Sequence, residues 1–600
     1  MPTPITPATL HWQDKTPWSD RYGDIYHSQD DGPGHAQHVF IAGNGLPERW
    51  QHRDRFAILE TGFGTGLNFL ATWAAWQKDP HACQRLHYLA AERHPFSLKD
   101  LAIIHARWPQ FAALAAELHT QWPLPLPGFH RLSLDGGRVI LTLLLGDALH
   151  TLPQLTASID AFYLDGFAPD KNPDLWSEPL FTQLARLAAP TATLATGCVT
   201  DPVRRGLQTI GLKVEKVPGF GRKHEILRGG FPGQSHPQTA PGHALIVGAG
   251  VAGCAAAASL CQRGWQVTLL EQRAAPAQAA SGNHAGIVRP VLSRDDNLAS
   301  RFTRAAFLHA ARAWPLMHPA PRFDACGVLH LAKDETDAAH QQTVIDALGF
   351  PAGFARWVGI AEASHIAGRP LAAGGWYFPG AGWAQPASLC HANLAACGAR
   401  LALRCTTRLE QLQRHSDGWH ALDASGHSLA QADIVILTGG ADMIGMSSLA
   451  HLPLRRLRGQ VSLLPEASLA GLRCVVCRDG YVIPPVDGIV CTGASYDSET
   501  DTTPSLVIHQ NNLQKLEDAL PGSHTNLDHI AGRIGFRAVA PDRMPLIGPL
   551  AEPGLYALLG LASRGLVWSQ LAGELLASQI CAEPLPLEHA LLRRVAAARY

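Results

Sequence analysis

Charge is scarce in this 600-residue chain: Asp, Glu, Lys and Arg together make up 16% of it. With 46% hydrophobic residues beside that, a disordered chain is excluded and large cores are supported. Neither sign is in excess, the formal net charge being −1 and the pI near 7.2. Lys+Arg against Asp+Glu stands at 21 to 22 through Gly230 and 28 to 28 beyond it. A global basic field for nucleic acid is therefore excluded, and any such partner must be held by local patches. Long apolar runs are also missing, none approaching the ~20 residues that span a bilayer. Met1 to Leu10 shows neither a basic nor an apolar leader region. The 12 cysteines follow no framework of spacings, as expected of reduced thiols. Cys474-Val-Val-Cys477 has no second pair at zinc spacing, so it reads as two packed thiols, and no metal is expected. These absences predict a soluble cytoplasmic protein with no membrane contact, built from two to four units of ~150 residues each.

The most informative stretch is His243-Ala-Leu-Ile-Val-Gly-Ala-Gly-Val-Ala-Gly253. Ala244 to Val247 reads as a buried parallel strand, and Gly248, Gly250 and Gly253 form a G-x-G-x-x-G turn. A helix over Cys254 to Cys261 and a second strand, Gln266 to Glu271, complete the unit. The glycines allow a pyrophosphate to approach the backbone, and the helix N-terminus offers N–H groups and a positive dipole end. Glu271 falls about twenty residues on, where a carboxylate accepts from ribose hydroxyls. Such a unit begins its domain, so the residues before it form a domain of their own.

In that first half, Phe56 to Glu60 reads as a strand, Thr61-Gly-Phe-Gly-Thr-Gly66 as a glycine turn, and Leu67 to Trp76 as a helix. Acid-x-G-x-G-x-G after a first strand resembles the signature of S-adenosylmethionine-dependent methyltransferases, and the turn alone does not settle the ligand. Gly62, Gly64 and Gly66 would let the backbone approach a ligand that has no phosphate. Three further apolar strands also lead to acids: Glu92, Asp147 and Asp165. With Glu60 these make four acids on one C-terminal sheet edge, where open α/β sheets bind ligands. Glu92 suits ribose hydroxyls and Asp147 the adenine amino group. Asp165 is the catalytic candidate, because an amine nucleophile must lose a proton. Each acid taken singly also fits a helix N-cap or loop role.

Residues 201–230 carry seven Lys/Arg against three acids (Arg204, Arg205, Lys213, Lys216, Arg222, Lys223 and Arg228 are the cations). Arg455, Arg456 and Arg458 form a second cluster, and Arg593, Arg594 and Arg599 a third. Each is a candidate nucleic-acid patch or a solvated face. Gly229 to Gly242 is rich in Gly, Pro, Ser, Gln and His and reads as a linker. The expected domains are 1–230, a linker at 231–242, and 243–600.

In the second half, Ala280-Ser-Gly-Asn283 is a polar loop suited to a ribityl and pyrophosphate. Residues from about 323 to 425 are expected to include an inserted substrate-binding sheet. Asp433 to Gly440 returns to the nucleotide domain, and Ser563-Arg-Gly-Leu566 opens a late helix whose N–H groups would face a flavin ring. This half resembles the flavin-dependent oxidoreductases of the glycine oxidase/D-amino-acid oxidase type. That resemblance implies that an Arg before the P-x-I-G turn clamps a substrate carboxylate by a bidentate pair. Arg537 is the matching residue and Arg533 the fallback, with a structural salt bridge as the alternative role for either.

Taken whole, the chain resembles the bifunctional tRNA 5-methylaminomethyl-2-thiouridine biosynthesis family. The matching stretches include Glu60 to Phe69, Leu164 to Trp176, Gly219 to Lys223, Ala280 to Asn283, Asp479 to Tyr481, Gly493 to Tyr496 and Ser563 to Leu566. Two departures are Pro33-Gly-His35, where the family carries acids, and His224, where Arg is expected. The resemblance implies an α/β fold: a Rossmann-like S-adenosylmethionine (SAM) methyltransferase domain, then an FAD-binding Rossmann domain with an inserted mixed-sheet substrate domain. It implies FAD at Gly248, Gly250, Gly253, Glu271, Ser281, Gly282, Asn283, Arg564, Gly565 and Leu566. It implies SAM at Glu60, Gly62, Gly64, Gly66, Glu92 and Asp147. The implied substrate is a tRNA wobble uridine, whose carboxymethylaminomethyl group is first cut back to aminomethyl with release of glyoxylate and then N-methylated by a monomeric enzyme. Two rival readings are a small-molecule amine oxidase fused to an unrelated methyltransferase, and an RNA-binding scaffold with a structural flavin.

Overall fold

The computed structural model describes residues 3–28, 31–221, 224–234, 240–523 and 530–600. Arg222 and Lys223 of the basic segment and residues 235–239 of the expected linker lie outside the described residues. The chain forms two compact units. The first holds Thr3–Ala240 together with Ala582–Ala590, and the second holds Pro241–Cys581 and Leu591–Tyr600.

The first unit is built on an eight-stranded sheet. Its strands are β1 (Arg55–Glu60), β2 (Arg85–Glu92), β3 (Gly128–Leu134), β4 (Val139–Leu145), β5 (Ile159–Tyr163), β6 (Ala188–Thr196), β7 (Lys213–Pro218) and β8 (Glu225–Gly230). Across the sheet they run β7-β8-β6-β5-β1-β2-β4-β3. The central pairs are parallel, and β3, β7 and β8 pair antiparallel at the two margins. Strands buried on both faces read as unbroken apolar runs, and in β4 all seven residues are buried. Alternate side chains still divide between two cores: Phe56 and Ile58 pack with Trp73, Tyr88 and Tyr163, while Ala57 and Leu59 pack with Phe162 and Leu144. Because β1 neighbours both β2 and β5, chain order reverses there and opens a crevice at the C-terminal edge. The helix α1 (Leu67–Lys78) starts at that crevice from Gly66, whose φ of 74° is left-handed. The last two strands, β7 and β8, form a hairpin in which Pro218 pairs with Glu225 and Lys213 with Gly230.

The return of Ala582–Ala590 to this unit departs from the expected 243–600 range, and its contacts explain why. Leu585 N–H donates to Thr156 O (3.0 Å), and Ala590 N–H to Gln154 Oε1 (3.2 Å). Arg131 donates to Pro584 O, and Glu583 lies buried 3.5 Å from Arg85 and 3.6 Å from His87.

In the second unit a six-stranded sheet carries β9 (His243–Val247), β10 (Gln266–Leu270), β11 (Leu401–Arg404), β12 (Ile434–Leu437), β13 (Leu546–Pro549) and β14 (Leu555–Leu559). They lie in the order β11-β10-β9-β12-β14-β13, parallel except for the last pair. The helix α2 (Val251–Cys261) is buried along its whole length, which its Ala-rich sequence permits. It packs against α3 (Gly565–Ile580), where a Cβ on Gly573 would lie 2.8 Å from the Ala255 backbone. Arg263 and Glu574 close that contact with a buried ion pair at 2.8 Å. The inserted sheet is larger than the sequence suggests: it has eight strands and runs from Val328–Leu331 to the long pair Arg455–Pro465 and Ala531–Val539. Residues 411–432 are not part of it and form a separate three-stranded sheet.

Candidate active sites

In the first unit the crevice becomes a cavity of about 840 Å³. Glu60, Gly62, Gly64, Glu92, Asp147 and Asp165 all line it, so the four acids do converge. Gly66 does not reach the wall. Its role is the turn itself, since a Cβ there would meet the Phe63 ring at 2.7 Å. Glu92 is committed to the backbone, accepting from Gly64 N–H (2.8 Å) and His94 N–H (2.6 Å). Burial nonetheless raises its carboxyl above the usual range. Asp147 caps a short helix through Leu149 N–H (2.9 Å) and pairs with Arg93 at 3.1 Å. Asp165 accepts from Gly166 N–H (3.0 Å) through Oδ1 and from Asn68 Nδ2 (2.8 Å) through Oδ2.

Glu60 differs from the other acids. It is 1% exposed, and its oxygens accept from Asn68 Nδ2 (2.7 Å) and Tyr88 Oη (2.9 Å). Burial first, and then the charge of Asp165, drive its carboxyl well above the ordinary range. Its two hydrogen bonds tie the end of β1 to β2 and to α1.

The sequence reading missed the aromatic wall of this cavity. Tyr22 stacks on Phe167 at 4.6 Å, and Tyr26 meets the same ring edge-on at 5.1 Å. Asp24 accepts from Ala168 N–H (2.9 Å) and Trp176 donates to Phe167 O (2.8 Å), which holds the loop after Asp165 in place. The aromatic, polar segment around Trp12 to Tyr26 was the available signal, but it has no spacing tied to a motif.

In the second unit the dinucleotide turn has the expected geometry. Gly248 has φ of 105°, and a Cβ on Gly253 would lie 1.9 Å from Gly248 O, so only glycine lets helix and strand come this close. Glu271 accepts from Ala249 N–H (2.9 Å) and Arg273 N–H (2.9 Å). Ser281 Oγ accepts from Val251 N–H at 3.1 Å, which brings the 280–283 loop over the turn. Arg533 holds that loop: it donates to Asn283 Oδ1 (2.9 Å), Ala279 O (2.7 Å) and Gln278 O (3.0 Å), and it lies where a Gly282 side chain would be. Arg533 is thereby a latch.

Arg537 has far lighter commitments, a long bond to Ser495 O (3.4 Å) and a cation–π approach to Tyr496 (5.3 Å). Its guanidinium crosses over Gly459, whose Cβ would sit 2.0 Å from it, so Gly459 is a further site residue that the sequence reading passed over. Arg564 precedes α3, and burial beside Arg289 and Arg543 pushes its guanidinium down to about 10. Gly565 opens α3 with its Cβ position 3.3 Å from Val251, and the Leu566 side chain fills the space beside Gly286. Among the described residues, no cluster of His, Cys, Asp and Glu is arranged to hold a metal ion.

Comparison with known proteins is consistent with both sites. A family described as FAD dependent oxidoreductase matches residues 243–579, and one described as S-adenosyl-L-methionine-dependent methyltransferase matches 109–232. The second match begins after the glycine turn. The chain is 51% identical over its full length, and over 98% of the relative, to the tRNA 5-methylaminomethyl-2-thiouridine biosynthesis bifunctional protein MnmC of Azoarcus sp. (strain BH72). It is 49% identical to the protein of that name from Thiobacillus denitrificans, over 99% of this chain and 98% of that one. Among solved structures, glycine oxidase from Geobacillus kaustophilus aligns with a TM-score of 0.51 at 22% identity, covering 60% of this chain and all of that one. That likeness shows the fold of the second half.

The cradles fit the two groups these families use. At Gly250 a Cβ would meet little but Ser281 Oγ, at 3.0 Å, so the space over the helix N-terminus is open to a pyrophosphate. At Gly62 and Gly64 the nearest atoms to a Cβ are 3.4 Å away, on an acid-lined cavity suited to a cationic, phosphate-free ligand.

Proposed function

The chain belongs to the family of bifunctional tRNA 5-methylaminomethyl-2-thiouridine biosynthesis proteins, and from that premise we infer how its two halves divide the work. It is a bifunctional tRNA modification enzyme that uses FAD and S-adenosylmethionine. Residues 243–600 oxidise the carboxymethylaminomethyl side chain of a wobble uridine at its N–CH2–COO⁻ carbon, and hydrolysis then leaves the primary aminomethyl group and glyoxylate. Residues 1–230 methylate that amine. When bound, FAD supplies the two-electron acceptor and S-adenosylmethionine the methyl group.

The observation that carries the division is electrostatic. Among the described residues neither Arg537 nor Arg564 has a carboxylate at ion-pair distance, Arg537 making only a long bond to Ser495 O, and such cations suit a carboxylate substrate. The methyl-transfer site presents Asp165, which suits an ammonium that must give up a proton before it attacks. Gly248, Gly250, Gly253 and Glu271 take the dinucleotide, with Ser281, Gly282, Asn283, Gly565 and Leu566 around it. Gly62, Gly64, Glu92 and Asp147 take S-adenosylmethionine, on the turn that Gly66 shapes. The relatives match over nearly their whole length with both halves present, which a small-molecule oxidase or a scaffold with structural flavin does not account for. We place the enzyme in the cytoplasm as a metal-independent monomer. Mass analysis of nucleosides from hypomodified tRNA treated with the pure protein tests the reading. Carboxymethylaminomethyl-uridine should convert to aminomethyl-uridine without S-adenosylmethionine and to methylaminomethyl-uridine with it. Unchanged tRNA in both arms, with flavin bound, would overturn it.

A further inference from the structure

Two acids of the methyl-transfer cavity, Glu60 and Asp165, are connected through one side chain, Asn68, to which the motif reading gave no role. Asn68 lies in the first turn of α1, and its amide nitrogen is 2.7 Å from Glu60 Oε1 and 2.8 Å from Asp165 Oδ2. An amide NH2 has two hydrogens, and here each is directed at one carboxyl. This orientation gives both carboxyl groups a donor, whereas a flip would aim the carbonyl oxygen at them. Glu60 is fixed from the other side by Tyr88 Oη at 2.9 Å, and Asp165 Oδ1 by Gly166 N–H at 3.0 Å. Asp165 Oδ2 accepts from Asn68 and has a second lone pair for a ligand in the cavity.

We propose that Asn68 is a positioning residue for methyl transfer: it holds Asp165 Oδ2 on the cavity wall, and Glu60 anchors Asn68 in turn. This inference rests on the reading that Asp165 meets the substrate amine. Burial and the nearby Asp165 charge raise the Glu60 carboxyl above its ordinary range, and Asn68 fixes the direction of Asp165 Oδ2 at the cavity end. An incoming amine then meets an oriented carboxyl oxygen. With that donor removed, Asp165 would swing about its side-chain torsions, and a misplacement of about 1 Å costs on the order of 10²-fold in rate.

Three variants test this on the full-length holoenzyme with supplied aminomethyl-tRNA. Asn68→Ala should lower kcat for methylation about 10–100-fold while the Kd for S-adenosylmethionine, measured by calorimetry, stays within about threefold. The acid limb of its rate profile should move to higher pH, because a carboxylate that has lost a hydrogen-bond donor keeps its proton longer. Glu60→Ala should show the same kcat loss, and Glu60→Gln should recover most of it, since glutamine keeps an acceptor for Asn68 and a partner for Tyr88. An Asn68→Ala enzyme with normal kcat and an unmoved acid limb, beside an impaired Asp165→Asn enzyme, overturns this inference alone. Normal methylation by Asp165→Asn overturns the underlying reading as well. Loss of S-adenosylmethionine binding in Asn68→Ala would make Asn68 a cofactor residue and overturn the positioning role. If Asn68→Ala does not fold, the Glu60 pair decides: equal rates in Glu60→Ala and Glu60→Gln overturn it.

Discussion

The chain holds two glycine turns, each after a first parallel strand, and they share one device but differ in what they face. In both, the acid ending the second strand accepts a turn N–H: Glu92 from Gly64 (2.8 Å) and Glu271 from Ala249 (2.9 Å). In the second unit the turn is compressed, with the Gly253 Cβ position 1.9 Å from Gly248 O, so the helix N-terminus is pressed toward the ligand side. That geometry concentrates N–H donors for a phosphate. In the first unit the turn is relaxed, Gly62 and Gly64 each having 3.4 Å of clearance, and it opens onto acids and aromatic rings. Such a wall favours a cation and sugar hydroxyls. The lesson is that the number of glycines does not choose the ligand. The charge and direction of the groups facing the turn do.

The sharpest way to break the comparison is to fill each turn. Gly250→Leu places a side chain over the helix N-terminus, with only Ser281 Oγ close by. The protein should purify without flavin absorbance and still bind S-adenosylmethionine. Gly64→Leu should do the reverse, with about 1–2 kcal/mol of added strain because Gly64 has φ of 53°. Loss of both cofactors from either variant would show that the two turns do not act independently.

Next come the charged groups that separate the two chemistries. Arg537→Ala should leave tRNA in the carboxymethylaminomethyl form while supplied aminomethyl-tRNA is still methylated. Asp165→Asn should accumulate the aminomethyl form, with methylation slowed about 10²–10⁴-fold. Nucleoside mass analysis reads both. Normal methylation by Asp165→Asn together with failure of Glu92→Ala would exchange the roles of those two acids.

What the sequence revealed follows the same division. Both glycine turns and the convergence of the four strand-end acids were legible, because their geometry is local and set by a few residues in a row. Glu60 shows where such reading stops: the motif does not reveal that its carboxyl is held by the cross-strand Tyr88 and the helical Asn68. The margins of the first sheet were also hidden. The strand Gly128–Leu134 gives no sign of its antiparallel pairing, and the β7–β8 hairpin has polar, half-exposed strands with weak alternation. The binding of Ala582–Ala590 by the first unit depends on contacts more than 400 residues apart in the chain, beyond the range of any pattern.

Protonation distinguishes the units more mildly. In the first, burial pushes His87 and His105 down to about 4, and in the second it pushes His330 down to about 3. A histidine with a depressed folded value is neutral when native but takes a proton when unfolded below about 6.5. Its stabilising contribution is therefore complete above 6.5 and falls as pH drops toward the folded value, by at most ~1.4 kcal/mol per pH unit for each group. Thermal melts from pH 7 to 4.5 should show a falling Tm, and His87→Gln should flatten the dependence. A Tm insensitive to pH across that window would mean that these rings are protonated in the native state.

The smallest expected effect concerns tRNA binding by the basic segment of the first unit. Its cations are not all available to phosphates: Arg204 pairs with Asp201 at 3.1 Å, Lys216 with Glu225 at 2.8 Å and Arg228 with Glu215 at 2.7 Å. These pairs are solvent-exposed and worth little to stability, but each carboxylate offsets part of the attraction to a phosphate. Each phosphate neutralised by a cation contributes about 0.9 to the slope of log K against log[salt] on duplex nucleic acid and about 0.7 on single strands. If Arg204, Arg205, Lys213 and Lys216 all made such contacts, neutralising them together would lower the slope by about 3. With Arg204 and Lys216 partly satisfied within the protein, the expected drop is about 1–2, with weaker binding at low salt and little change in methylation rate at saturating tRNA. An unchanged slope would make the segment a solvated face and move the tRNA contact elsewhere. A drop near 3 would mean that the Arg204–Asp201 and Lys216–Glu225 pairs open when tRNA binds.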